Sequence, residues 1–313
     1  MKKLILIICC SITLYYSQTI DDAIKGPISG ITYTPDIGKF HIDATLAFLS
    51  AESMFDDNED EKSFNDLFDG IANPKQYGNS LNISGIYTLT EKRGIGVGIP
   101  IITKQEVEYN PSTGYEESLT DLSGETGLGD ISIGGWYQIS KNQKSITLAT
   151  AFYTLATGSS PEDVGESNVS STGSGHTSID IGIRTDYLYA PNILVSGWGS
   201  YTINQEGKFS SDGISWDEKD GNEIDFSGTV SMLASPQLSL GMTAGYSSAG
   251  TSEYDGETVD DSDYNNFILA PKVGYQMTTG STKVNITGSY LLSISGKNYP
   301  KFDGLAMGVE IYY

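Results

Sequence analysis

Cysteine is almost missing from this chain. Cys9 and Cys10 are its two cysteines, and both fall in the opening MKKLILIICCSITLYYSQ. Lys2 and Lys3 followed by a short apolar run and the small Ser17 have the form of a secretory signal peptide over residues 1–17. At roughly 20 residues for a membrane-spanning helix, this run is too short to cross a bilayer. Its removal leaves a cysteine-free chain, which excludes disulfides and thiolate metal sites. Positive charge is scarce too. Eighteen Lys and Arg stand against 40 Asp and Glu, a net charge of −22, and loss of Lys2 and Lys3 takes it to −24. Nothing in that balance can neutralise phosphates, so nucleic acid is excluded as a partner. Histidine is limited to His41 and His176. No metal or other cofactor is expected, and helix-period runs are nearly absent.

What is abundant is glycine (36 residues) and aromatics, with 20 Tyr, 10 Phe and 3 Trp. The aromatics are spread through segments of about ten residues in which apolar side chains alternate with small or polar ones. That period of two is the strand signal. Twelve such segments follow residue 39. In one, Ile179, Ile181, Ile183 and Tyr187 alternate with Asp180, Gly182, Arg184 and Asp186; in another, Ile131, Ile133, Tyr137 and Ile139 alternate with Ser132, Gly134 and Gln138. Ile146, Leu148 and Phe152 are read the same way, as the apolar face of the fifth segment. The connections alternate in length. Short ones fall at 91–94, 141–144, 190–192, 235–237 and 278–281. Longer ones run over 50–78, 107–125, 157–174, 204–222 and 248–263, with 295–300 on the same side.

Short and long connections at opposite ends describe an all-β fold: a transmembrane up-and-down antiparallel β-barrel of about 12 strands, spanning 39–313. A soluble sandwich would show the same alternation. Three features favour a membrane. The polar face is rich in Gly, Ser, Thr and Asn, as a wet lumen needs. Tyr87, Tyr137, Tyr187 and Tyr275 sit near strand ends, where interfacial girdles lie. The chain ends with Leu305, Met307, Val309, Ile311 and Tyr313 at every second position. That ending resembles the signal read by the bacterial outer-membrane assembly machinery. The expected location is therefore the outer membrane, in contact with lipid and lipopolysaccharide. Residues 18–38 precede the first strand, as a periplasmic lead or as a plug folded into the lumen.

TGLGDISIGGWYQI, residues 126–139, imitates a phosphate loop. A dinucleotide loop needs G-x-G-x-x-G ahead of a helix. Here the third glycine is Gly134, two positions late, and a period-two strand follows. GLGDISIGGWYQ instead resembles the G-x-G-D strand of the outer-membrane family described as the MetA-pathway of phenol degradation. LATGSSPEDVG (155–165) and STGSGHTSIDIGI (171–183) resemble that family's next glycine-rich segments, with Ala156 where a proline usually stands. The resemblance spans 126–187. It implies an outer-membrane barrel that passes small organic molecules, and names no substrate.

Other motifs weaken on inspection. Asp56, Asn58 and Asp60 have calcium-loop spacing, but Glu61 replaces the required glycine and Leu67 the final Glu. His176, Ser178 and Asp180 lie on one strand face, whereas a catalytic triad gathers its members from separate elements. The chain is therefore not read as an enzyme. The functional candidates are the inward charges Asp130, Asp180, Arg184, Asp186, Asp225, Lys272, Lys283 and Glu310, which would line the lumen and set its selectivity. They fit a channel or passive transporter for small molecules, which the resemblance implies include hydrophobic or aromatic ones, with loops 50–78, 107–125 and 204–222 as gates. The alternative is a structural or adhesive surface protein with a closed lumen and acidic, cation-binding loops.

Overall fold

The computed structural model describes residues 19–28, 30–67, 72–111, 122–160, 171–211, 214–280 and 282–312. The signal-peptide segment, Tyr313 and the middle of the loop expected at 107–125 lie outside them. Among the described residues no helix is long and apolar enough to cross a membrane.

Twelve long strands form the wall. They are β1 (Phe40–Ala51), β2 (Ala72–Thr90), β3 (Arg93–Pro111), β4 (Ile131–Lys141), β5 (Ser145–Leu155) and β6 (Ser178–Ala190). The second half is β7 (Ile193–Asn204), β8 (Glu223–Leu233), β9 (Leu238–Ala249), β10 (Tyr264–Thr279), β11 (Thr282–Lys297) and β12 (Asp303–Tyr312). Each pairs antiparallel with its sequence neighbour, and β1 closes on β12 in register from His41↔Tyr312 to Ser50↔Asp303. Closure is what a spanning sheet requires, because an open edge would leave amides unpaired in hydrocarbon.

Alternation decides which way each side chain faces. On β6, Ile181 and Ile183 are each 54% exposed while Asp186 between the next pair is 0% exposed. Ile133, Tyr137, Phe226, Val230, Met242, Tyr275, Leu305, Met307 and Val309 join the same outward belt. Apolar side chains left bare on this scale on a closed barrel are the lipid-facing surface.

Two expectations need correction. First, β2 and β3 are 19 residues each, and β10 and β11 are 16. Residues 72–78 pair with 105–111 instead of forming loops. The apolar alternation stops where the hairpin leaves the membrane, while the backbone ladder continues, so periodicity alone marks the strands too short. Second, Ile146 and Leu148 of β5 are 0% and 3% exposed and point inward, and Phe152 lines the lumen. Alanines and Tyr153 occupy the outward positions of β5, so both of its faces are apolar and the sequence pattern cannot choose between them.

The long connections build structure of their own. Residues 53–55, 61–63 and 299–300 form one small sheet. Residues 207–211, 214–219, 253–254 and 257–258 form another. In the second, Phe209 stacks on Trp216 and Trp216 on Tyr254 at centroid distances of 6.0 and 6.1 Å.

Candidate functional site: the lumen

The lumen is filled differently along its length. At the short-turn end, residues 19–28 and 30–33 lie inside the wall. A short helix, α1 (Ile20–Ile24), buries Ile20, Ala23 and Ile24 in one cluster with Ile28, Ile146, Leu148, Leu188, Leu194 and Leu233. Burying such side chains stabilises by roughly 1.5–3 kcal/mol each relative to leaving them exposed. Polar contacts fasten the same segment. The Ile20 N–H donates to the Gln143 carbonyl at 2.9 Å, and Lys141 pairs with Asp21 at 2.7 Å. The Ser239 hydroxyl donates to the Pro27 carbonyl at 2.6 Å, and Gln276 Nε2 donates to the Lys25 carbonyl at 2.9 Å.

Asp186 is the deepest anchor. The Thr32 N–H and hydroxyl donate to its Oδ2 at 2.8 and 2.6 Å, and the Ser196 hydroxyl donates to its Oδ1. A buried carboxylate is tolerable only when its lone pairs are met in this way. Gly30 makes the approach possible, since a Cβ there would lie 2.5 Å from Asp186 Oδ2. Tyr33 then caps the segment, its ring 5.1 Å from His41 and 4.7 Å from Tyr312. Burial, reinforced by Asp36, pushes the Tyr33 hydroxyl up to about 12, so it stays neutral.

Beyond Tyr33 the lumen opens into a cavity of about 560 Å³. Asp43 and Glu310, register partners across the closure seam, are part of its wall, as are Arg184 on β6 and Lys272 on β10. Apolar side chains line it as well: Ile86, Trp136, Leu148, Phe152, Ile268 and Leu291. Gly94 makes room for the indole, because a Cβ there would lie 2.6 Å from Trp136 Nε1.

The expected lumen residues therefore divide into groups. Arg184, Lys272 and Glu310 line the cavity. Glu310 accepts from Asn285 Nδ2 at 3.2 Å and from the Tyr312 hydroxyl. Asp186 lies beneath the N-terminal segment, and Lys283 reaches the Lys25 carbonyl at 3.4 Å. Asp180 accepts from the Thr202 hydroxyl at 3.3 Å, and Asp225 is its neighbour's partner one strand on, opposite Ser200. Asp130 stands apart from the cavity. Its carboxylate accepts from the N–H groups of Thr157, Gly158 and Ser174 and from the Ser174 hydroxyl, so it clasps the two ends of the loop that follows β5. Asp43, His41 and Trp136 are cavity residues that pattern reading passed over. Each sat at an inward position of its strand, which was the available signal.

Gly127–Leu128 pairs with Ile101 and Ile102 as a two-residue strand, with no helix after it. Among the described residues, no group of three His, Cys, Asp or Glu side chains is arranged to hold a metal ion.

A closed twelve-stranded antiparallel wall with a lipid-facing belt and an occupied, charged interior defines an outer-membrane β-barrel. More particularly, the chain belongs to the family described as "Putative MetA-pathway of phenol degradation", whose model matches residues 77–308. Among solved structures, the fold is similar to the COG4313 outer membrane channel from Pseudomonas putida F1, with a TM-score of 0.65 and 15% identity over 90% of this chain and 97% of that one. The translocator domain of the autotransporter NalP from Neisseria meningitidis gives a TM-score of 0.49 and 12% identity over 94% and 93%. No curated protein matches the sequence.

Proposed function

We propose that this barrel is a channel, or passive transporter, for small hydrophobic or aromatic molecules, and that it acts by selective diffusion with no chemical step. The observation that carries this reading is the composition of the cavity wall. A water-filled porin keeps its interior polar. Here Trp136, Phe152, Ile268, Leu291 and Ile86 share the wall with a few charges, the mixture a small ligand site uses: apolar walls for affinity and sparse polar groups for orientation. The family and the fold are consistent with that role.

The alternative, a closed structural or adhesive barrel, has its own support in the packing of residues 19–36 across the short-turn end. Two measurements separate the readings. Defined conductance steps from folded protein in planar bilayers, together with faster uptake of a labelled apolar solute by cells whose lipopolysaccharide barrier is intact, are expected of a transporter. Silence in both from verified folded protein would leave the closed barrel standing.

A further inference from the structure

The cations of this chain are distributed unevenly between its two ends. On the long-loop side Lys62, Lys75, Lys104, Lys208, Lys219, Lys297 and Lys301 each have a carboxylate within 4.0 Å. At the short-turn rim Lys39, Lys92, Arg93 and Lys144 are exposed, and none of them forms an ion pair among the described residues. Lys92 and Arg93 are adjacent where β2 turns into β3. They border an open groove of about 490 Å³ whose wall also holds Ile37, Leu89 and Tyr137. Glu91 shares that wall without pairing with either cation, so the groove keeps a net positive charge.

Arg93 stands on the lipid-facing side of the wall. It pairs across the sheet with Tyr137, and Ile95, the next residue on the same face of β3, is 51% exposed. Ile37, Leu89 and Tyr137 are about half exposed as well. Next along β3, deeper in the membrane-facing wall, lies a second groove of about 360 Å³, bordered by Phe40, Ile42, Tyr87, Ile95, Val97 and Ile133. Gly85 forms part of its floor. A Cβ there would find its nearest side-chain atom 3.8 Å away, so no neighbouring side chain fills the dent. Unpaired cations beside an interfacial tyrosine, followed by an apolar trough, match a molecule with a charged head and a hydrocarbon tail. Long basic side chains at this depth keep their heads at the polar boundary.

We infer that the β2–β3 turn and the trough beside Gly85 form one binding site for an anionic glycerophospholipid. Lys92 and Arg93 take the headgroup phosphodiester, and an acyl chain lies in the trough. The planar Arg93 guanidinium can meet two phosphate oxygens at once, while Lys92 adds a point charge. Short turns of such barrels face the periplasm, so the lipid belongs to the periplasmic leaflet. On the opposite side the lysines are already neutralised by acids of the chain itself. The site lies on the outer face of the wall and does not depend on what crosses the lumen.

The test uses the full barrel, folded in detergent with equal amounts of dioleoyl phosphatidylglycerol and dioleoyl phosphatidylcholine. Native mass spectrometry then reads which lipid stays bound. Phosphatidylglycerol is expected to be retained in preference. Lys92→Gln with Arg93→Gln should reduce that preference by about fivefold for each cation removed. Lys62→Gln with Lys208→Gln makes the same change in net charge at the other end and should leave the preference intact. Gly85→Leu fills the trough and should lower retention of both lipids. If the Lys92/Arg93 pair does not fold, Lys92→Gln alone, in the turn outside the ladder, should still cost about fivefold. Equal retention of the two lipids overturns the site. So does a preference that survives loss of Lys92 and Arg93, or one that falls as far with Lys62→Gln and Lys208→Gln. Unchanged retention in Gly85→Leu would remove the acyl chain from the trough. Displacement of the lipid by millimolar inorganic phosphate would make this a free-anion site and overturn the lipid assignment.

Discussion

Asp186 and Arg184 sit two residues apart on β6, on the same face, inside the same barrel, yet their surroundings are opposite. Asp186 receives three hydrogen bonds and is closed over by the N-terminal segment. Arg184 borders an open cavity with no partner for its buried Nε. The short-turn half of the lumen is packed like a protein core, with aliphatic side chains meeting and the Asp186 carboxylate fully bonded. The middle is a cavity whose wall mixes apolar side chains with charges of both signs. A barrel wall alone supplies inward positions of both kinds. The N-terminal segment reaches deepest at Thr32 and Tyr33, and that point separates the filled half of the lumen from the open one.

The comparison rests first on the register of β6, and breaking it there should give the largest effect. Ile183→Arg places a charge on the lipid face, immediately before the two contrasted residues. It should destabilise the folded barrel by about 2–4 kcal/mol if the position lies near the bilayer midplane. Folding titrations into lipid vesicles check this, and a negligible cost would mean that β6 faces the other way.

The next effect targets the packed half. Asp186→Ala removes the acceptor shared by Thr32 and Ser196 and strands buried donors, at about 1–3 kcal/mol for each one left unmet. Hydrogen exchange should then rise at residues 30–33 while the wall strands stay protected. If protection at 30–33 is unchanged, the carboxylate does not hold the segment.

The smallest effect lies outside the membrane, where a satisfied polar pair is exposed instead of buried. The Glu61 carboxyl is held below its usual range by hydrogen bonds from Lys301 and Ser53. A depressed folded value gives stabilisation that is present above the unfolded value and lost as pH falls through the folded one. Protease sensitivity of the 53–63 segment should therefore rise in acid, below the ordinary glutamate range, and only slightly, since exposed pairs contribute about 0–1 kcal/mol. Lys301→Met should remove the pH dependence. A strong effect at neutral pH would show that the pair matters more than its exposure allows.

Much of this molecule could be read in its residues. Period-two alternation located all twelve wall strands, and the lengths of the connections ordered them into a meander. Ile181, Ile183 and Tyr187 declared the outer face of β6, and their even-numbered neighbours declared the inner one. The limits were physical. On β5 both faces are apolar, so Ile146 and Leu148 carried no directional information until α1 was placed against them. Asp130 looked like a lumen acid because it precedes a strand, and hydrogen bonds from Thr157, Gly158 and Ser174 made it a loop clasp. Arg184 stood among eight inward charges with nothing to single it out, because its distinction is a missing partner, and partners come from other strands.

Composition and periodicity by themselves determined that the chain closes into a membrane barrel: alternating apolar side chains need lipid on one side, and edge amides need closure. The sequence also determined which residues point inward wherever one face of a strand is apolar and the other is not, as on β6. Tertiary structure alone decided what happens inside. Which half of the lumen is filled and which carboxylate is satisfied depend on the N-terminal segment meeting strands more than 100 positions away. No local pattern encodes contacts at that separation.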